Sequence, residues 1–119
     1  VVNIGSVHSK LTKAGFFAYA ASKAAVASMT RSLAIDYGEK IRINCIEPAS
    51  VATPMLLEGF GQNPRARETL ESYHPQGRIS TPEEVAELVK MLCNPGLGSL
   101  HGACIDLSGA VASKLHDPA

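Results

Sequence analysis

Apolar positions along the chain gather into separated runs, and the spacing within each run predicts an element. Residues 1–5 form a short apolar run that closes at Gly5-Ser6, which predicts a buried strand. Residues 7–17 mix Ser, Lys, Thr and Gly and read as a loop. Residues 18–37 are rich in Ala, Leu, Met and Lys with no internal Gly or Pro, which favours a helix. Gly38 supplies its stop. Within that helix Val26, Leu33 and Tyr37 follow a core spacing. Ala21, Ala25, Ser28 and Ser32 form a small-residue face suited to close packing, against the sheet or against a second subunit. Residues 41–47 alternate loosely and predict a second strand ended by Pro48. Residues 50–80, broken by Pro54, Pro64 and Pro75, read as a lid or binding loop with short helices near 55–60 and 65–73. Thr81, Pro82 and Glu84 mark a capped helix start, and Val85, Val89 and Leu92 give that helix its apolar stripe. Asn94-Pro95-Gly96 ends it, residues 103–107 predict a third strand, and Ser108 onward reads as a polar tail. Strands that alternate with helices in this way predict an α/β fold with a parallel sheet.

Composition narrows the class of protein. The chain has 119 residues, 45% hydrophobic and 18% charged, as in one soluble globular domain. Eleven basic residues balance eleven acidic ones, so no charge footprint points to nucleic acid or to a membrane surface. No apolar run approaches the roughly 18 residues needed to span a bilayer. Cys45, Cys93 and Cys104 are odd in number and lie in or beside apolar segments, which predicts small buried thiols in a reducing, cytoplasmic setting. His101 and Cys104 stand at a ligand-like spacing without a second pair, so no metal site is predicted. The opening Val1-Val2-Asn3-Ile4 has neither an initiator Met nor a basic leader and reads as the middle of a strand, which leads us to expect a missing upstream part.

Candidate chemistry centres on Tyr19 and Lys23. Four residues apart on a helix, they share one face. An ammonium beside a phenol favours the phenolate, and such a Tyr can exchange a proton with an alcohol or carbonyl oxygen near neutral pH. Alone the motif is weak, since a Tyr-x-x-x-Lys arises by chance in roughly one of seven such chains. Ser6 stands at the carboxyl end of a predicted parallel strand, the place where open α/β sheets bind ligands. Its hydroxyl is placed to bond the same substrate oxygen. His8 has two readings, a residue at the substrate entrance or a solvated loop histidine. Asn3 and Asn44 fall inside strands and read as structural hydrogen-bonders.

Asn3-Ile4-Gly5-Ser6-Val7, followed by Tyr19-Ala20-Ala21-Ser22-Lys23, resembles the short-chain dehydrogenase/reductase family. Arg42-Ile43-Asn44-Cys45-Ile46-Glu47-Pro48, Val51-Ala52-Thr53-Pro54, Gly77-Arg78 with Pro82-Glu83-Glu84-Val85, and Gly102-Ala103-Cys104-Ile105-Asp106 continue the likeness in order over nearly the whole chain. The resemblance implies strands five to seven of a Rossmann-like parallel sheet, with the two long helices on opposite faces. It implies that Tyr19 is the acid/base and that Lys23 assists it and binds the nicotinamide ribose. Ser6 would polarise the substrate oxygen. Tyr19, Lys23, Pro48, Ala49, Val51 and Thr53 would meet NAD or NADP, and Thr53 has an alternative reading as a turn-former before Pro54. The substrate implied is a small-molecule alcohol or ketone under a lid at about 55–78, and the complete protein would be a homo-oligomer with no nucleic-acid or membrane partner. Asp106 is read as structural.

Three positions depart from the family pattern. Gly5 stands where Ser is common, Ala49 where Gly usually follows Pro48, and Leu107-Ser108-Gly109 in place of a Gly-Gly after Asp106. If the turn at Ala49 needs a positive φ, Ala is strained there. No Gly-rich phosphate-binding turn follows a strand, so the chain reads as a partial domain over 1–119 whose phosphate-binding half is absent. Three functions stay open: a nicotinamide-dependent oxidoreductase acting in its complete form, a catalytically silent remnant or association module, and an unrelated small α/β binding domain. The chain alone is expected to show no turnover, and to self-associate through its uncovered first strand.

Overall fold

The computed structural model describes residues 1–61 and 63–115. Its strands are β1 (Val2–Ile4), β2 (Asn44–Pro48) and β3 (Cys104–Leu107), all parallel in the order β1-β2-β3. Asn3 lies opposite Cys45, and Cys45 opposite Cys104, so these three side chains share one face of the pleat. The central strand is buried along its whole length. The chain is therefore α/β, and its parallel strands are joined by helical crossovers.

Helix α1 (Phe17–Asp36) covers the face that carries Asn3, Cys45 and Cys104. Thr30, fully buried, donates its hydroxyl hydrogen to the Val26 carbonyl at 2.9 Å and accepts from Asn3 Nδ2 at 2.9 Å. A polar pair thus fixes helix to strand without leaving an unmet group. The inward side of α1 runs through Lys23, Val26, Ala27, Thr30, Leu33 and Ala34. Tyr37 caps the carboxyl end of α1 and is exposed, contrary to its core spacing. Ala21, Ala25, Ser28 and Ser32 are exposed as well, so the small-residue face does not pack on this sheet.

Helices α2 (Pro54–Gly59) and α3 (Pro64–Ser72) occupy the segment between β2 and α4 (Pro82–Leu92). Each of the three has Pro in its first turn and a side chain as cap, from Thr53, Asn63 and Thr81 respectively. Thr81 and Glu84 complete the capping box expected from their spacing. Ile46 points to the face opposite α1 and is fully buried, and α4 is the other helix packed on β2. The two long helices therefore sandwich the sheet.

The second strand begins later than its apolar pattern suggested. The N–H of Ile43 goes to His101 Nδ1 at 3.0 Å rather than to a neighbouring strand, and His101 Nε2 donates to the Ala34 carbonyl at 3.0 Å. His101 therefore staples α1 to the approach of β2 with both ring nitrogens, which leaves neither for a metal. Asn44 works beside it: Nδ2 donates to the Leu100 carbonyl at 2.7 Å and Oδ1 accepts from the Ala103 N–H at 3.0 Å. Pro48 is the last residue of β2 rather than its terminator, since it still pairs with Leu107.

Near the carboxyl end, Ser108 is buried and its Oγ accepts from the Ala112 N–H, so the polar tail does not begin there. Gly109 has φ 58°, a left-handed backbone that strains any side chain, which explains Gly in this turn beside Gln76. The last four residues of the expected tail, and Gln62 inside the 55–78 segment, lie outside the described residues. Of the thiols, Cys45 is buried, Cys104 half-buried and Cys93 exposed at the end of α4, so the expectation of three buried thiols fails at Cys93.

The radius of gyration is 15.7 Å, against the ~13.5 Å expected of a compact domain this long. Among the described residues, six apolar side chains form the buried core, while Val1 and Ile4 at the outer strand, and Phe17 and Ile35 on α1, stay exposed. No helix among the described residues is long and apolar enough to cross a membrane.

Candidate active site

The carboxyl ends of β1 and β2 lie on the same edge of the sheet because the strands are parallel. Ser6 follows β1 on that edge, in extended conformation, and caps a single 3-10 turn, Val7–Ser9, by accepting the His8 N–H at 3.2 Å. It is only 5% exposed. Its hydroxyl hydrogen is left free to donate, because the cap uses only a lone pair.

Tyr19 and Lys23 occupy successive turns at the start of α1. Tyr19 is 44% exposed, and the Lys23 ammonium stands 5.7 Å from the centre of its ring. Lys23 Nζ donates to the Ile4 carbonyl at 3.0 Å. That bond ties the helix carrying Tyr19 to the strand that leads into Ser6, and it leaves two ammonium hydrogens for other acceptors.

Two residues without a sequence signal join this set. Phe16 stacks on His8 with ring centres 5.0 Å apart and meets Tyr19 edge to face at 5.9 Å; His8 meets Tyr19 edge to face at 5.4 Å. Lys13 lies over Phe16 at 4.3 Å. His8 is thus a packed ring beside Tyr19 rather than a solvated loop histidine. Burial, with the nearby charge of Lys13, lowers its pKa below the ordinary histidine value, which favours the neutral ring.

The segment after β2 continues the same edge. Pro48 ends the strand, and the Ala49 N–H reaches the Leu107 carbonyl at 3.4 Å. Among the described residues Ala110 is the one non-glycine with positive φ, so Ala49 carries no left-handed strain and its departure from Gly is harmless. Val51 pairs with Ser80 as an isolated parallel bridge, in which the Ser80 and Ala52 N–H groups donate across. The peptide groups of Val51 itself face the other way, and its carbonyl accepts the Thr53 N–H at 2.7 Å. Thr53 caps α2, its Oγ1 accepting from the Leu56 N–H at 3.3 Å. The structural reading of Thr53 thus holds, yet its hydroxyl hydrogen remains free to donate.

These groups fit the nicotinamide end of a dinucleotide. A carboxamide needs a donor and an acceptor facing it, and the outward N–H of Val51 and the Thr53 hydroxyl are of that kind. A ribose hydroxyl needs a cation or acceptor, and Lys23 has hydrogens to spare. Two shallow surface concavities, one along Ile35–Lys40 and one at Leu57, Phe60 and Arg67 between α2 and α3, lie away from Ser6, Tyr19 and Lys23.

Residues 1–109 match the family described as enoyl-(acyl carrier protein) reductase. A 3β-hydroxysteroid dehydrogenase of Eggerthella lenta is 34% identical over 112 residues, covering 93% of this chain and 42% of that protein. The structure superposes on an aldohexose dehydrogenase of Thermoplasma acidophilum with a TM-score of 0.92 at 29% identity, covering 99% of this chain and 49% of that one. It superposes on a short-chain dehydrogenase family protein of Francisella tularensis with a TM-score of 0.87 at 33% identity, covering 95% and 50%. The chain spans half or less of the length of these relatives.

Proposed function

The chain belongs to the short-chain dehydrogenase/reductase family, and on that premise we propose that it carries the proton-transfer half of a nicotinamide-dependent oxidoreductase site. The observation that carries the reading is the bond from Lys23 to the Ile4 carbonyl, which brings the Tyr19 helix and the Ser6 strand together on the carboxyl edge of the sheet. The complete protein then interconverts a small-molecule alcohol and the corresponding ketone or aldehyde.

Each residue has a distinct task in this proposal. Tyr19 donates its phenolic proton to the substrate oxygen during reduction and recovers it during oxidation. Lys23 stabilises the negative charge that develops on the phenol oxygen as the proton leaves. Ser6 donates a hydrogen bond to the substrate oxygen and orients the carbon it belongs to. Val51 and Thr53 hold the carboxamide, with Pro48 and Ala49 shaping the turn. NAD or NADP, when bound, supplies or accepts the hydride. His8 and Phe16 present ring faces beside Tyr19, and residues 55–78 form the lid over the substrate. The phosphates of the cofactor are held by a segment other than residues 1–119, so the isolated chain has no turnover. The complete protein is a cytoplasmic homo-oligomer, consistent with three free thiols and the exposed small-residue face of α1.

The test is spectrophotometric. Full-length protein is mixed with NADH or NADPH and a panel of aliphatic, alicyclic and aromatic ketones, and loss of the reduced-nicotinamide absorbance is followed. Turnover with at least one ketone is expected. Absence of turnover with both cofactors across the panel would contradict the proposal and favour a catalytically silent association module.

A further inference from the structure

Resting on the oxidoreductase reading above, we propose that Glu47 is a positioning residue for Ser6, acting through the turn that follows Ser6. Glu47 lies on the central strand and is 1% exposed, yet it is a carboxylate. A buried carboxylate is costly unless it is paired and hydrogen-bonded. Its partners come from the Ser6 turn. Ser9 Oγ donates to Oε1 at 2.5 Å, and the Lys10 ammonium stands 2.7 Å from Oε2. The Lys10 contact is bent from hydrogen-bond geometry, but a rotatable ammonium at that range still neutralises the oxygen. Lys10 is correspondingly held above its ordinary pKa, chiefly by its close contact with the Glu47 carboxylate.

The sheet itself does not require this side chain. Glu47 joins the ladder to β3 through its backbone, opposite Asp106. What the carboxylate adds is a second anchor for the loop carrying Ser6. Upstream of Ser6, the Gly5 N–H donates to the Ile46 carbonyl at 2.7 Å. Downstream, Ser9 and Lys10 hold to Glu47, the next residue of the same strand. Ser6 is pinned between consecutive residues of β2. Gly5 completes the device, because a Cβ there would stand 3.3 Å from Glu47 Cγ and 2.8 Å from Cys45 Sγ. The Gly that replaces the family's common Ser leaves room for the carboxylate.

The experiment uses the full-length protein and compares wild type, Ser6→Ala, Glu47→Ala, Glu47→Gln, Ser9→Ala and the double variant Ser6→Ala/Glu47→Ala in steady-state carbonyl reduction. Glu47→Ala is expected to lower kcat about tenfold to a hundredfold, the range for a reacting group displaced by about 1 Å, with KM and cofactor affinity nearly unchanged. Glu47→Gln still accepts from Ser9 and recovers most of kcat. The double variant is no slower than Ser6→Ala alone, because a misplaced Ser6 has no meaning once its hydroxyl is gone. A wild-type kcat in Glu47→Ala, or losses that multiply in the double variant, overturns the positioning role. Should Glu47→Ala fail to fold, Ser9→Ala with and without Ser6→Ala gives the same decision: shared loss supports the role and multiplied loss refutes it. An inactive wild type, or a Ser6→Ala variant at full rate, removes the oxidoreductase reading and this inference together. A slow Ser6→Ala beside fast Glu47 variants removes the inference alone.

Discussion

Gly5→Ala tests the packing that underlies the Ser6 loop. The new Cβ would sit 2.8 Å from Cys45 Sγ, 3.3 Å from Glu47 Cγ and 3.3 Å from the Ile46 carbonyl oxygen. Comfortable contact between heavy atoms needs about 3.5–4.0 Å, so the worst clash is short by about 0.7–1.2 Å. Cys45 is fully buried and cannot swing into solvent, and β2 is held by strands on both sides. Overpacking of this kind costs about 1–3 kcal/mol. Stiffening of the unfolded chain by the added methyl returns about 0.4–1 kcal/mol. The net loss is therefore about 0.5–2 kcal/mol, read as a lower urea midpoint of the full-length protein at unchanged slope. Cys45→Ala removes the sulfur that causes the worst contact. Gly5→Ala combined with Cys45→Ala should thus recover about half or more of the Gly5→Ala loss as a favourable coupling. A Gly5→Ala protein as stable as wild type would refute the reasoning, since it would show that the neighbours of Gly5 yield freely.

Three further outcomes follow from single features. Asn44→Ala strips the part-buried Ala103 N–H of its partner and leaves the Leu100 carbonyl only the donor from Arg42, and should lower unfolding stability by about 1–3 kcal/mol in urea titration. Ala110 sits at φ 67°, where a Cβ is strained by about 1–2 kcal/mol, so Ala110→Gly should be neutral to stabilising by up to about 1 kcal/mol despite the flexibility of Gly, as judged by thermal unfolding. Glu84 is held at a pKa of about 2 against an ordinary 4.5, chiefly by Arg78 and also by the Thr81 N–H. A depressed carboxylate pKa stabilises the fold above the unfolded value, and that contribution is lost as pH falls from about 4.5 through about 2; in Glu84→Gln, urea midpoints should fall less steeply over that window than in wild type.

The parts of the fold that were legible are those whose cause is local. The start of α4 needs only Thr81, Pro82 and Glu84, which cap one another within four residues, and it stands where the pattern put it. Tyr19 and Lys23 share a helical face for the same reason. Errors arose where a distant group decided the outcome. The apolar pattern continued back to Ile41, but His101, 58 residues from Ile43, takes the N–H that a strand would have used. Tyr37 keeps a core spacing, but it stands at the cap of α1 and is exposed. The Glu47 pairs with Ser9 and Lys10 span 38 and 37 residues, and nothing in the local spacing of a Glu before a Pro announces them. The burial of His8 against Phe16 was hidden in the same way, because the loop between Ser6 and α1 folds back through ring contacts that no periodicity records.

The claim that matters most is that Tyr19 moves the proton. The most direct measurement is Tyr19→Phe in the full-length protein, with nicotinamide binding followed by fluorescence titration and turnover followed on the same sample. Removing one hydroxyl leaves the ring packed against His8 and Phe16, so cofactor affinity should change little. Loss of general acid/base catalysis should lower kcat by about a hundredfold or more. A Tyr19→Phe protein that binds the cofactor and turns over at the wild-type rate would contradict the account.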